Sequence, residues 1–378
     1  MPTRARATLD RTVDEMLPHM PAGAISAAAR CRLQSVARWL PAELTNLVYF
    51  ECRLGQSCGP VDMILCVEEP GHSLLATHAW RPRGGDALHI SEPWQRLERW
   101  SGRWRTPDQR PSSAGVSHVL WIEFDVDEQA AAAAATRLPT PSVFVGFAPK
   151  VVRRDTSASA LAAALGGCAP IVDDATAAHL CRALPNVLRA LPDAAHVEYL
   201  GMMMSRPGSP VRICFSHFTW SAVWEFAAAI GCPDDPALRS AVRGANSLGP
   251  GVVHIDLAAA ADAVCPSLGL ECILDRRSQV FGSLPNRPFF DALVADGVIP
   301  AVTCDDLAAW PGCSRSVFAH QLWPTVLSRR VNHVKVVGQP GGRPLAKAYL
   351  CGGHRYLARA GRPITGMASP TVSTTGLV

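Results

Sequence analysis

The sequence predicts an α+β chain: a ten-stranded antiparallel β-barrel built from five ααββ repeats, with the helices packed outside. Three observations predict it. Short apolar, strand-like runs come in pairs. Such a pair recurs near residues 46–68, 118–149, 196–217, 251–275 and 332–351. Stretches with a helical period fill the gaps between pairs. Ten antiparallel strands form a sheet that gains by closing, because closure removes its unpaired edges. A ring of that size is too wide for its own side chains to fill, so its lumen is expected to hold a ligand.

The elements follow in order. Residues 8–40 keep a helical period from Leu9 through Val13, Met16 and Leu17 to Val36 and Leu40, broken near Pro21–Gly23. Strands are expected over 46–54 and 61–68, with Gly55, Ser57 and Gly59 turning the chain. A helix over 93–104 precedes strands over 118–127 and 142–149, and the Ala-rich stretch between those strands reads as a helical excursion. Helices over 157–165 and 175–191 lead to a hairpin of 196–205 and 210–217. Helices over 220–230 and 236–243 lead to strands over 251–257 and 269–275, separated by an Ala-rich insert. Helices are expected over 288–296, 304–310 and 316–327, then strands over 332–339 and 344–351 joined by Pro340–Gly342.

Composition bounds the function. With 378 residues, 48% of them hydrophobic and 18% charged, the chain can bury a large core, and it reads as a single domain over residues 1–360. Residues 361–378 are rich in Ser, Thr, Gly and Pro and are expected to be disordered. A net charge of +4 without a basic block argues against a nucleic-acid partner held through phosphates. The start lacks an apolar leader region, and no run of about eighteen apolar residues appears, so a cytoplasmic location without a membrane partner is expected. The Ala130–Ala135 run is bounded by Glu128, Gln129 and Arg137 and reads as helix. Thirteen Cys are scattered without a CxxC pair; Cys52, Cys66, Cys214 and Cys272 lie in apolar strand runs and read as buried, reduced thiols.

Laid out this way, the chain resembles the ABBA prenyltransferases, whose PT barrel has five ααββ units. The segment Val48–Arg53 with Met63–Pro70 resembles that family's first strand pair. Val119–Asp125 with Phe144–Pro149 resembles the second, and Tyr199–Met202 with Ser209–Phe215 the third. The resemblance implies metal-independent transfer of a prenyl group from an allylic diphosphate, with no cofactor. The implied partners are an isoprenoid diphosphate and an aromatic small molecule or a peptide side chain, in natural-product biosynthesis. The branch that modifies ribosomally made peptides is similar in size. The pattern also departs from the family. Asp62 stands where an Arg is expected, Phe144 and Gly146 replace a Lys-x-Tyr pair, and Cys214 replaces a Tyr. Arg212 keeps a cation, and Lys347–Ala348–Tyr349 restores a Lys-x-Tyr in the last pair. These departures leave open a barrel without diphosphate chemistry, acting as a peptide-binding accessory or a different tailoring enzyme.

Prenyl transfer needs cations in a dry lumen to stabilise the departing pyrophosphate. Arg53, Arg212, Lys335 and Lys347 are the expected set, with Tyr349 assisting. Period two puts Lys335 with Val337, and Lys347 with Tyr349, on shared faces. Aromatic faces must shield the allylic cation from water, and Tyr49, Trp121, Phe124, Tyr199, Phe215 and Tyr349 are available. Glu51, by resemblance and by its place in an apolar run, is the expected base, with Glu271 second on the same logic. The plainer alternatives are cations at exposed strand ends, aromatics that only fill core, and carboxylates in rim salt bridges. His118, His196, His254 and His333 recur at strand starts, and with Asp125, Asp256 or Glu271 they could bind a metal. No HxH or HExxH spacing supports that, so no metal site is assigned. No GxGxxG follows a strand either.

Overall fold

The computed structural model describes residues 8–21, 25–55, 61–80, 90–105, 110–126, 138–206, 208, 211–248, 253–260, 263–275, 279, 284, 286–316, 325–339 and 341–356. Its strands are β1 (Leu47–Leu54), β2 (Val61–Val67), β3 (Val116–Phe124), β4 (Ser142–Phe147), β5 (His196–Met202), β6 (Val211–Phe218), β7 (Val253–Ala260), β8 (Ala263–Ile273), β9 (Gly312–Ser316), β10 (Thr325–Val337) and β11 (Leu345–Tyr356). β1 to β8 pair in chain order. β8 pairs with β10, β10 with β11, and β11 returns to β1, so ten strands close into a ring with every pairing antiparallel. The short β9 lies outside the ring against the first half of β10.

A helix pair precedes each strand pair: α1 (Asp10–Met16) and α2 (Ala27–Ala37), α3 (Gly71–Ala76) and α4 (Glu92–Arg103), α5 (Ala158–Gly167) and α6 (Asp174–Arg189), α7 (Trp220–Ala229) and α8 (Pro236–Ala241), α9 (Arg287–Ala295) and α10 (Val302–Ala309). Side-chain oxygens of Ser26, Ser157, Asp173, Thr219 and Asp235 cap helix starts. Each strand then has two unlike faces. Val48, Phe50, Cys52 and Leu54 of β1, and Val61, Met63, Leu65 and Val67 of β2, share one apolar core with Val13, Met16, Trp94 and Trp100 of the helices. That face is the outside of the ring. The alternate residues therefore point into the lumen.

Three differences from the sequence reading have physical causes. The stretch expected as helix over 316–327 instead contains Ser316 of β9 and Thr325–Leu327 of β10, paired Thr325 with Ser316. The β-branched Thr325 and Val326 suit a strand, and pairing with β9 fixes them there. The insert between β7 and β8 continues both strands, with Ala258 opposite Cys265 and Ala260 opposite Ala263. Phe124 and Phe215, offered as cation-shielding rings, are buried on the outer face: Phe124 lies 6.1 Å from Trp94 and Phe215 lies 5.7 Å from Phe226. The Ala-rich excursion over 127–137 and the 361–378 tail lie outside the described residues. Among the described residues no helix is long and apolar enough to cross a membrane.

Ring closure leans on the outer core at β1. Phe50 is fully buried and meets Trp310 edge-on at 6.4 Å, while Trp310 Nε1 donates to the Arg330 carbonyl of β10 at 2.9 Å. Phe50→Ala is expected to lower unfolding free energy by about 3–5 kcal/mol in a denaturant titration. A loss under about 1 kcal/mol would mean that Phe50 is not part of a packed core.

Candidate functional site in the barrel lumen

Glu51 lies mid-strand on β1, opposite Tyr349 of β11 on one side and Asp62 of β2 on the other. Both its oxygens are engaged: Lys347 Nζ donates to Oε1 and the Tyr349 hydroxyl donates to Oε2. Burial alone would raise the Glu51 carboxyl, but Lys347 and Tyr349 overcome it and hold it down at about 2. Glu51 is thus an ionised carboxylate in a buried wall. The Tyr349 ring stacks on His333 with centroids 3.9 Å apart, which fixes the phenol that meets it.

A second cluster adjoins the first, because Lys335 is the partner of Lys347 in the β10–β11 ladder. Lys335 of β10 donates to Asp256 of β7 and, at 3.3 Å, to Glu271 Oε1 of β8. Burial would lower this ammonium, but the two carboxylates raise it, and the same ammonium brings Glu271 down to about 2 against its own burial. Gly269, which faces Asp256 in the ladder, leaves room for the lysine stem: a Cβ there would sit 2.9 Å from Lys335 Cε. Arg212 of β6 reaches Asp256 at 3.5 Å. Arg53, opposite Lys347, is partly buried, and its Nε has no hydrogen-bond partner among the described residues.

A third cluster is acidic. Asp62, Glu123 and Asp125 converge, and Arg206 lies against them, 3.0 Å from Glu123 and 2.7 Å from Asp125. Burial and the neighbouring Glu51 push Asp62 up to about 7 and Glu123 up to about 8, while the hydrogen bonds of Arg206 and Ser205 overcome burial to lower Asp125. Two like charges on adjacent buried strands cannot both stay ionised cheaply, so Glu51 keeps its charge and Asp62 takes a proton.

Between the clusters runs an aromatic ladder. Tyr49 meets Trp121 edge-on at 5.2 Å, and Trp121 meets Tyr199 at 6.2 Å. The Phe144 ring lies over Gly201, where a Cβ would come within 2.4 Å of it. The strands' outer faces are sealed, yet the inward side chains of Arg212, His254 and Lys347 retain 29%, 24% and 18% of their exposure.

Ten antiparallel strands in a closed ring, five helix pairs outside, and a charged interior decide the architecture. The fold is a PT barrel. No protein-family model matches the chain, and no curated protein does. Among solved structures the chain is similar to AnaPT from Neosartorya fischeri, with a TM-score of 0.47 and 13% identity over 80% of this chain and 76% of that one. It is similar to a 6-dimethylallyl tryptophan synthase, with a TM-score of 0.47 and 11% identity over 90% and 94% of the two chains. It is also similar to 6-dimethylallyltryptophan synthase from Micromonospora olivasterospora in complex with DMASPP and Trp, with a TM-score of 0.45 and 13% identity over 90% and 95%.

The PT barrel brings Glu51, Lys347 and Tyr349 into contact and joins Glu271, Lys335 and Arg212 through Asp256. Tyr49, Trp121 and Tyr199 line the wall between them. Of the described histidines, His196 bonds Ser216, His254 faces Glu271 and His333 stacks on Tyr349. Side-chain contacts of His118 lie outside the described residues. Glu123 and Arg206 belong to the lumen set without having been singled out, and Asp256, named only as a possible metal partner, belongs to it as the partner of Lys335. Period two could have flagged Asp256 and Glu123, but Arg206 sits in a turn whose sequence says nothing of partners 81 and 83 positions away.

A pH dependence follows. Asp62 is raised in the folded state relative to an unfolded value of about 4. Its stabilising share is therefore full below that value and is lost as pH rises through about 7. Wild-type stability should fall between pH 5 and 7 with a contribution on the order of 1 kcal/mol per pH unit from this group. Asp62→Asn should flatten that slope in melting curves; parallel profiles for the two proteins would contradict the assignment.

Proposed function

We propose that this barrel transfers a prenyl group from an allylic diphosphate to an aromatic acceptor held in the lumen. The observation that carries the reading is Glu51: an ionised carboxylate, fixed by Lys347 and Tyr349, in the same wall as the Tyr49–Trp121–Tyr199 ladder. In this reaction the donor's C–O bond breaks and both electrons leave with the pyrophosphate. The aromatic faces shelter the allylic cation from water. The acceptor's electron pair forms the new bond, and the proton it sheds goes to the Glu51 carboxylate. Lys335, Lys347, Arg212 and Arg53 supply the positive charge for the leaving group, and no metal is required for these steps. Glu271, held by Lys335, is better placed to position that cation than to take a proton. A peptide side chain remains within the acceptor class, as does a role in natural-product biosynthesis in the cytoplasm.

One observation favours a second reading. Lys335, Lys347 and Arg212 each already hold a carboxylate, so an incoming diphosphate must displace Asp256 or Glu51 from its cation. A lumen so neutralised also suits a guest without phosphates, as in a peptide-binding accessory or a different tailoring enzyme.

Thermal melts with dimethylallyl, geranyl and farnesyl diphosphates separate the two. The transferase reading expects a concentration-dependent rise with at least one donor, worth about 2.7 kcal/mol at a hundredfold excess over Kd. Glu51→Gln should keep that rise while lowering turnover by about 10²–10⁴. No rise with any donor leaves the second reading standing and removes the first.

A further inference from the structure

Strands β6, β7 and β8 each present one side chain to a compact mixed-donor set. Cys214 Sγ lies 3.8 Å from Glu271 Oε2, and His254 Nδ1 lies 3.8 Å from the same oxygen. All three donor atoms fall within 4.8 Å of one another. A four-coordinate ion with bonds near 2.0–2.3 Å spaces its ligand atoms about 3.3–3.6 Å apart, so the two separations from Glu271 Oε2 need to shorten by only a few tenths of an ångström. Neighbouring strands of a closed sheet hold their donors more firmly than loops do.

We propose that Cys214, His254 and Glu271 form a binding site for a divalent transition-metal ion of the zinc type. A sulfur, a nitrogen and an oxygen suit such an ion and do not suit magnesium or calcium, which take oxygen sets. Three protein ligands leave one position free, and it opens on the lumen, where His254 and Glu271 keep 24% and 15% of their side-chain exposure. The second oxygen of Glu271 is held by Lys335 at 3.3 Å, which fixes the carboxylate as an outer partner does in metal sites. On binding, the Cys214 thiol releases its proton to solvent and the thiolate bonds the metal. The acidic set Asp62–Glu123–Asp125 differs: the guanidinium of Arg206 already lies on it. The proposal departs from the metal-free expectation and rests on this donor set alone, not on the prenyl-transfer reading.

The test is a titration of the full-length, chelator-treated, reduced protein with Co²⁺, read as ligand-field and thiolate-to-cobalt charge-transfer bands, followed by displacement with Zn²⁺. One equivalent is expected to saturate a charge-transfer band that Zn²⁺ abolishes. Cys214→Ser should remove that band while Cys66→Ser, at another lumen-facing thiol, keeps it. His254→Ala should weaken Co²⁺ binding by at least roughly tenfold, since even outer partners are worth that much. Circular dichroism of each variant checks folding. No charge-transfer band at one equivalent, or a band that persists in a folded Cys214→Ser protein, overturns the proposal. Donor-induced melting shifts are read separately, so either idea can fail alone.

Discussion

Closure of the ring by β11 brings together residues that are remote in the chain. β11 pairs with β1 on one side and with β10 on the other. Tyr349 and Lys347 therefore meet Glu51 across 298 and 296 positions of sequence. Without that closure the wall around Glu51 has no cations, and its carboxylate, already buried, would have to take a proton. The same ladder carries Lys335 to Glu271 through β10 and β8. The helices need do little more than seal the outside, which they do with an apolar core shared by all five repeats.

The lumen is governed by charge neutrality in a buried space. Carboxylates from β1, β2, β3, β7 and β8 face lysines and arginines from β6, β10, β11 and the turn after β5. Where a cation is near, as at Glu51 and Glu271, the acid stays ionised. Where burial and like charge outweigh any nearby cation, at Asp62 and Glu123, the carboxyl is pushed well up. Paired buried charges contribute little net stability, because desolvation offsets the attraction, whereas breaking one pair is costly. An array of this kind is better explained by what it holds than by the fold it supports. A guest that competes for one partner releases the other, which links binding to the ionisation of the wall.

Much of the fold was legible in the sequence, since period-two runs bounded by Gly and Pro mark β1 through β6 and the ends of β10 and β11 within a few residues. The errors fall where local signals conflict with partners. The Ala-rich ends of β7 and β8 carry no strand preference of their own and are strands only because each pairs with the other. Residues 316–327 mix polar and apolar positions in a way that suits either period, and pairing with β9 decides Thr325–Leu327. The site was half legible. Glu51, Lys335 and Lys347 stand out as charges inside apolar strands. Whether a cation is free or already neutralised depends on contacts between strands such as Lys335 with Asp256, 79 positions apart, which no local pattern records.

The central claim is that the ring takes its guest beside Glu51. A crystal structure of the protein soaked with a non-ionising thio analogue of dimethylallyl diphosphate tests it most directly. The account predicts density inside the ring, with the diphosphate on Lys335 and Lys347 and the allyl chain against Tyr49, Trp121 and Tyr199. An analogue bound only on the outer surface, or a lumen that excludes it at saturating concentration, would contradict the account.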